Sequence, residues 1–371
     1  MAVDSSIQRI SRLTPLCAIV ALIEARVGVT APRQCAPAQG LGATLAADVV
    51  VSACPPRPIA LRDGFAVAAA AIADAGPYAP MPFASPPRRV DAGEPLPSGT
   101  DSVAPLDAVT LRDDRAAAIA AVAPGEGVLA AGGDATPAMP LRRAGERLRA
   151  LDVAVMAAAG VTGVSIRSPR LRIVRGSTPA TPLIDAALAM LARWITDAGG
   201  TVVREEGPLE EVLADNQVDA VVAIGGTGSG RNDSSVQTLA RLGQVAAHGI
   251  AISPGETAAF GFVDTRPVVL IPGRLDAVLA VWLLIGRHLI ARLAGGSIDE
   301  MPAMVPLKRK VTSAIGLAEL MPVTCAGGMA EALASSYLSF TALTRSDGWI
   351  VVPAESEGFA AETPVAVNPW P

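Results

Sequence analysis

From Leu171 onward, apolar runs of strand length alternate with stretches of helical spacing: "LRIV", "TPLIDAALAMLARWITDAGG", "TVV", "LEEVLAD", "VDAVVAI" and, past a glycine-rich turn, "SSVQTLARLG". Strands that are apolar along their whole length need cover on both faces. Helices between them supply it, so the order predicts a parallel sheet sheathed by helices. The pattern continues through "VVLIPG" to a last helix from about Asp276 to Leu293, closed by Gly295 and Gly296. An α/β domain is expected over 169–297.

Within it, "VVAIGGTGSGRND" (221–233) runs from a strand into four glycines within six positions and then into a polar triplet able to start a helix. Such a density suits a backbone that turns tightly and lies close to a ligand, with N–H groups converging where a helix dipole also favours an anion. Gly225, Gly226, Thr227, Gly228, Ser229 and Gly230 are therefore candidate ligand contacts, and Asn232 or Asp233 the expected helix cap. No Lys-Ser/Thr follows, as a Walker loop requires, and no acid ends the next strand, as a dinucleotide fold requires. Two further turns, "SPGET" (253–257) and "IPGRLD" (271–276), are expected at the same sheet edge. They add Pro254, Gly255, Pro272, Gly273 and Arg274, whose guanidinium suits a phosphate.

Residues 55–140 are rich in Pro and Gly with short β-like pieces, which predicts a small inserted β domain. The flanks, 1–54 and 141–168, read as one split helical domain. Residues 302–371, with alternating stretches such as "YLSFTAL" and "GWIVVP", read as a C-terminal β domain. The chain is thus expected to be a multi-domain α/β and β protein. Its net charge of −5 gives no field to gather nucleic acid or an acidic membrane, and only 3% of residues are aromatic. Four cysteines without a C-x-x-C and two histidines, His248 and His288, argue against structural zinc and a disulfide framework. The apolar segment 13–23 is followed by Glu24 and Arg26 where a signal cleavage site would lie, and the run at 277–286 is stopped by Arg287, short of the ~20 residues of a membrane span. A cytoplasmic protein with no membrane partner is expected.

Several stretches, in chain order, resemble the molybdopterin molybdenumtransferases of the MoeA and gephyrin E-domain type. "LGATLAADVV" (41–50) is similar to that family's opening segment and "RDGFAV" (62–67) to DGYAV. "AGEPLPSGTDSV" (92–103) resembles TGAPLPxGADAV, and "AGGDATPAMPLRRAGERL" (131–148) resembles GEDxxxGxxLLxxGxxL. "VDAVVAIGGTGSGRND" looks like DxVIxxGGxSxGxxD, while "SPGETAAFG" and "IPGRLDA" are similar to KPGKPxxFG and LPGNPVSA. The resemblance implies an elongated four-domain subunit, a homodimer, and cleavage of adenylated molybdopterin with insertion of molybdenum from molybdate, assisted by Mg²⁺. A molybdoenzyme would receive the product. It implies catalytic roles for Asp63, Asp134 and Asp233, with Asp233 also a metal ligand.

The departures are chemically specific. Ser177 and Thr178 stand where the family has an acidic pair, and Ala186 and Ala187 replace a Ser and an Asn after Asp185. Both lysines of KPGKP become Ser253 and Glu256, Ala92 replaces a threonine, and Arg274 replaces an asparagine. Losing two ammonium groups and gaining a carboxylate weakens an anion site. Three readings follow: a divergent molybdenum insertase, a binder or carrier of pterin or cofactor without the chemistry, and a sheet domain for another phosphorylated metabolite. Without a ligand, Asp233 would cap a helix, Asp134 would hold a turn, Asp63 would precede a strand glycine and Asp219 would start a strand.

Overall fold

The computed structural model describes residues 10–112, 115–203, 207–298 and 302–371. Two compact units emerge: one of residues 1–47, 144–150 and 163–371, the other of 48–143 and 151–162. The larger unit is organised on a six-stranded sheet in the order Thr201–Val203, Arg170–Arg175, Ala220–Ile224, Arg266–Ile271, Ala259–Val263, Gln244–His248. The first four strands are mutually parallel. The last two run antiparallel, so the sheet is mixed rather than wholly parallel. A hairpin turn at Asp264, which has positive φ, joins Ala259–Val263 directly to Arg266–Ile271 and leaves no room for a crossover helix.

Alternate residues of one strand feed two cores. Val222 and Ile224 pack with Ile184, Leu191 and Val278 on one face. Val221 and Ala223 pack with Leu213 and Leu239 on the other. Burial on both faces is why these strands are apolar throughout. Arg172 is the exception, 4% exposed within its strand, and it is matched by Asp215 at 2.5 Å just past the Leu209–Ala214 helix.

The last helix runs on past Arg287 to Ala294, in keeping with its expected span of about Asp276 to Leu293. An α-helix Leu275–Val281 passes through a π-helical segment Trp282–Gly286 into a second α-helix, Arg287–Ala294. The whole stretch, Leu275–Ala294, is long and apolar enough by composition to cross a membrane, but 78% of its apolar window is buried inside the protein, as a core helix would be. Gly295 and Gly296 end it, donating N–H bonds to Arg292 and Ala291.

Two sequence expectations for the flanking regions change. Helices do form at Leu16–Arg26 and Ala150–Ala158, but strands Arg33–Cys35, Thr44–Leu45 and Val164–Arg167 join the flanks as a three-stranded sheet. In the C-terminal β region, "YLSFTAL" is not a strand. Ser339 accepts the Ala342 N–H and caps a helix Phe340–Arg345, with Leu338 and Ala342 buried one turn apart. Strands there build a six-stranded sheet with Ile252–Ser253, ordered Ile252–Ser253, Ala318–Ala326, Gly348–Val352, Pro364–Pro369, Ala303–Pro306, with Met329–Ala332 pairing beside Ala318–Ala326, while Val311–Thr312 and Gly358–Phe359 form a separate pair. The smaller unit has two three-stranded sheets around Phe65, Val67, Ala104 and Ala118.

Candidate functional site

Three parallel strands end side by side, and each hands the chain to a glycine-bearing loop: Arg175 to Gly176, Ile224 to Gly225, Ile271 to Pro272 and Gly273. The loops are stitched together. Gly176 N–H donates to the Ile224 carbonyl at 2.8 Å, and Gly225 N–H to the Ile271 carbonyl at 2.7 Å. A Cβ on Gly273 would lie 3.6 Å from the Gly225 Cα.

The glycines of the 225–230 loop have two different jobs. Gly225 and Gly226 are buried with φ of 97° and 77°, a conformation L side chains rarely adopt. A Cβ on Gly225 would run into the Thr178 side chain, and one on Gly226 into the Ser177 and Ser235 hydroxyls. These glycines are therefore required by the packing of the 176–178 loop. Gly228 and Gly230 lie further out, where a Cβ would meet only the Asp233 carboxylate, at 2.8 and 3.1 Å.

A serine cluster locks the base of the loop. The Ser235 hydroxyl donates to the Gly225 carbonyl at 2.8 Å and accepts the Ser177 N–H at 2.9 Å. The Ser177 hydroxyl accepts the Ser234 N–H at 2.7 Å. The helix Ser235–Leu242 thus begins after Ser234, and neither Asn232 nor Asp233 caps it. Asp233 closes a turn instead: its carboxylate accepts the Gly230 N–H at 3.0 Å while its own N–H donates to the Gly230 carbonyl at 3.0 Å. Thr227 points inward, 1% exposed, with its hydroxyl 3.2 Å from that of Thr257 and its carbonyl 2.9 Å from His248 Nε2.

What the loop offers to solvent is its tip. Ser229, Gly230, Arg231 and Asn232 are exposed, and the backbones of Ser229, Arg231 and Asn232 have no hydrogen-bond partner among the described residues. Unspent N–H groups beside a cation suit an anion. Arg231 is the residue the sequence reading missed. Its signal was present, a cation inside the glycine loop itself.

The turn at 253–257 does not belong to this sheet. Ile252–Ser253 pairs in parallel with Ala318 and Glu319 of the C-terminal sheet, and Pro254 and Gly255 are buried, with Val281 and Ile252 where a Gly255 Cβ would be. Pairing with a neighbouring sheet, invisible to local spacing, draws them into the core. Thr257 reaches the glycine loop through Thr227.

Arg274 is held rather than loose. Its Nε donates to Asp276 at 3.0 Å, and a second bond runs from Nη2 to the same carboxylate, which is 2% exposed while the arginine side chain is 57% exposed. Asp276, then burial and the Glu256 charge, set its acidity, and the net effect raises its pKa above the ordinary guanidinium value. A cation already matched by a buried carboxylate binds a further anion less strongly than a free one.

Asp63 and Asp134 belong to the smaller unit, where the Asp63 carboxylate accepts the Ala92 N–H at 2.8 Å. Asp219 accepts the Arg170 N–H at 2.7 Å at the opposite end of the strands and starts its strand. No group of three His, Cys, Asp or Glu side chains able to hold a metal occurs among the described residues. Asp233 is the loop's one carboxylate, and Ser177 is engaged with Ser234 and Ser235. This donor set does not fit a protein-built magnesium centre, and no step is derived through one.

Three family models match in chain order: the MoeA N-terminal region (domain I and II) over residues 1–160, a "Probable molybdopterin binding domain" over 173–292, and the MoeA C-terminal region (domain IV) over 304–370. The chain belongs to the MoeA family. Molybdopterin molybdenumtransferase 1 of Mycobacterium tuberculosis is 28% identical over 260 residues, covering 65% of this chain and 58% of that protein. A Methanocaldococcus jannaschii protein named for molybdopterin biosynthesis is 28% identical over 152 residues, 41% of this chain and 36% of its own. The chain spans about half the length of these curated relatives. The crystal structure of the molybdopterin biosynthesis MoeA protein from Pyrococcus horikoshii OT3 superposes with a TM-score of 0.77 at 22% identity, covering 97% of this chain and all of that one, and shows that the MoeA fold is shared.

Proposed function

We propose that this MoeA-family protein acts in molybdenum cofactor biosynthesis, binding molybdopterin or its adenylated form at the carboxyl edge of the sheet and taking molybdate as the second substrate. The observation that carries the reading is the exposed loop tip, in which the backbones of Ser229, Arg231 and Asn232 are unpartnered, mounted on a base that Gly225, Gly226, Ser177 and Ser235 tie together. Backbone N–H groups fixed before the ligand arrives bind phosphate without an ordering cost. Arg231 supplies charge at the tip, and Pro272, Gly273 and Arg274 form the adjoining wall. Asp233, Asp63 and Asp134 are assigned to proton handling during cleavage of the adenylated form. Magnesium enters this proposal as a companion of substrate phosphates and not as a resident of the protein. A cytoplasmic homodimer delivering to a molybdoenzyme completes it.

Native mass spectrometry of protein mixed with adenylated molybdopterin tests the reading. One ligand per chain is expected, and Arg231→Ala should weaken its retention, more so at low salt than at high salt. Binding that is absent, or equally tight with Arg231→Ala and with a bulky residue at 228, would overturn it.

A further inference from the structure

Beside the phosphate crevice, and resting on that reading of it, a second feature is built with more care than packing needs. Residues 335–338 form a tight turn anchored by two buried carboxylates. Glu319, 4% exposed, accepts the Ser336 N–H at 2.7 Å, and Asp276, 2% exposed, accepts the Leu338 N–H at 3.2 Å. Ser336 is held at φ 58°, a left-handed conformation costly for a residue with a Cβ. Between the two anchors, Tyr337 is thrown outward, 60% exposed, with its ring 5.0 Å from the Arg274 guanidinium carbon.

Asp276 thus performs two tasks at once: it fixes Arg274 from one side and the backbone that presents Tyr337 from the other. Gly273, next to Arg274, abuts Gly225, which places the tyrosine at the lip of the crevice. Tyr78, Tyr337 and Phe340 are the exposed aromatic side chains among the described residues, and the last two share this segment. An aromatic ring buried for stability would face inward; this one is strained into solvent.

We propose that Tyr337 is a stacking platform for a planar nitrogen heterocycle, the ring end of the ligand whose phosphate lies on the glycine loop. Arg274 backs one side of the ring, and the exposed face receives the heterocycle. The arginine is a positioning residue here, because its charge is matched by Asp276 and its guanidinium carbon lies 5.0 Å from the centre of the tyrosine ring.

The test uses the intact chain and three probes: AMP, pterin-6-carboxylate and inorganic pyrophosphate, each titrated into wild type, Tyr337→Ala and Tyr337→Phe. Stacking on an aromatic side chain is lost on truncation to alanine, so whichever ring probe binds should weaken about tenfold in Tyr337→Ala. Tyr337→Phe should restore it, and pyrophosphate should be unaffected by either change. The ring probe that responds tells adenine from pterin. Equal ring affinity in Tyr337→Ala would overturn the platform while leaving the crevice standing. An equal loss for pyrophosphate would show that Tyr337 acts only through Arg274, which also overturns it. Failure of wild type to bind pyrophosphate and both rings would remove the crevice reading itself. Unchanged melting temperatures of the two variants separate these outcomes from misfolding.

Discussion

Two glycines three positions apart respond differently to the same methyl group. On Gly225 a Cβ needs a left-handed backbone and the space of Thr178, and both demands are structural. Gly225→Ala should cost about 1–3 kcal/mol, with each kcal/mol worth roughly 2–4 °C in melting temperature. On Gly228 a Cβ meets the Asp233 carboxylate at 2.8 Å, and turning that side chain aside gives up its bond from the Gly230 N–H. Gly228→Val should therefore lose no more than about 1 kcal/mol, roughly 2–4 °C in melting temperature, yet bind phosphate ligands at least about tenfold more weakly, because the valine stands where the anion approaches. Thermal melts and pyrophosphate titrations of both variants check this; a Gly228→Val that binds normally would move the ligand off the loop. The glycine density was legible in the sequence, but its division was not, because the reason for Gly225 and Gly226 sits near residue 177. The same blindness applies to Ser177. In the sequence it marks a missing acid, whereas in the fold its hydroxyl receives the Ser234 N–H. Arg231 and the inward turn of Thr227 complete what the local pattern did not separate.

At the scale of elements, the strand and helix alternation was legible because the central strands, such as Ala220–Ile224, are buried on both faces and helices such as Pro182–Asp197 on one, so periodicity reports burial directly. It failed where a partner outside the local window decides. Ile252–Ser253 is captured by the C-terminal sheet, and Phe340–Arg345 is helical through the Ser339 cap. Arg172 gives the element-scale prediction. Its strand is anchored to the turn after Leu209–Ala214 by Asp215, whose carboxyl is held below its ordinary value first by the Gln217 N–H and then by Arg172 and Arg266. A depressed carboxylate contributes stability that is fully present above its unfolded pKa, near about 3.9, and lost as pH falls through the folded value. Asp215→Asn should be less stable than wild type at neutral pH, and the gap should close in melts taken from about pH 5 down to about pH 3. A gap independent of pH would show that the pair's charge is not what anchors the strand.

For the whole molecule, the expectation of several domains came from changes in composition, and the structure groups the described chain into two compact units with the inserted β region inside the smaller one. The order of motifs along the chain identified the family where no single motif could, since three family models recover that order. The carboxylates assigned to chemistry are distributed between the units: Asp233 on the sheet loop, Asp63 and Asp134 in the smaller unit. If the protein cleaves adenylated molybdopterin, phosphate binding should depend on the loop and turnover on the carboxylates, and the two should separate in variants. AMP release measured with and without molybdate is the assay. Wild type should release AMP faster with molybdate present. Asp63→Asn and Asp134→Asn should keep the ligand affinity of wild type, and each should slow release about a hundredfold or more where its carboxyl moves a proton in the transition state. Asp233→Asn should slow release in the same way at saturating ligand, with the loop kept in shape because an amide oxygen can still accept the Gly230 N–H. Magnesium titrated into ligand-free protein should show no saturable site at the loop, because one carboxylate leaves the ion's water shell in place. Release that is absent with or without molybdate, together with tight binding of the uncleaved ligand, would make this chain a carrier built on the insertase fold.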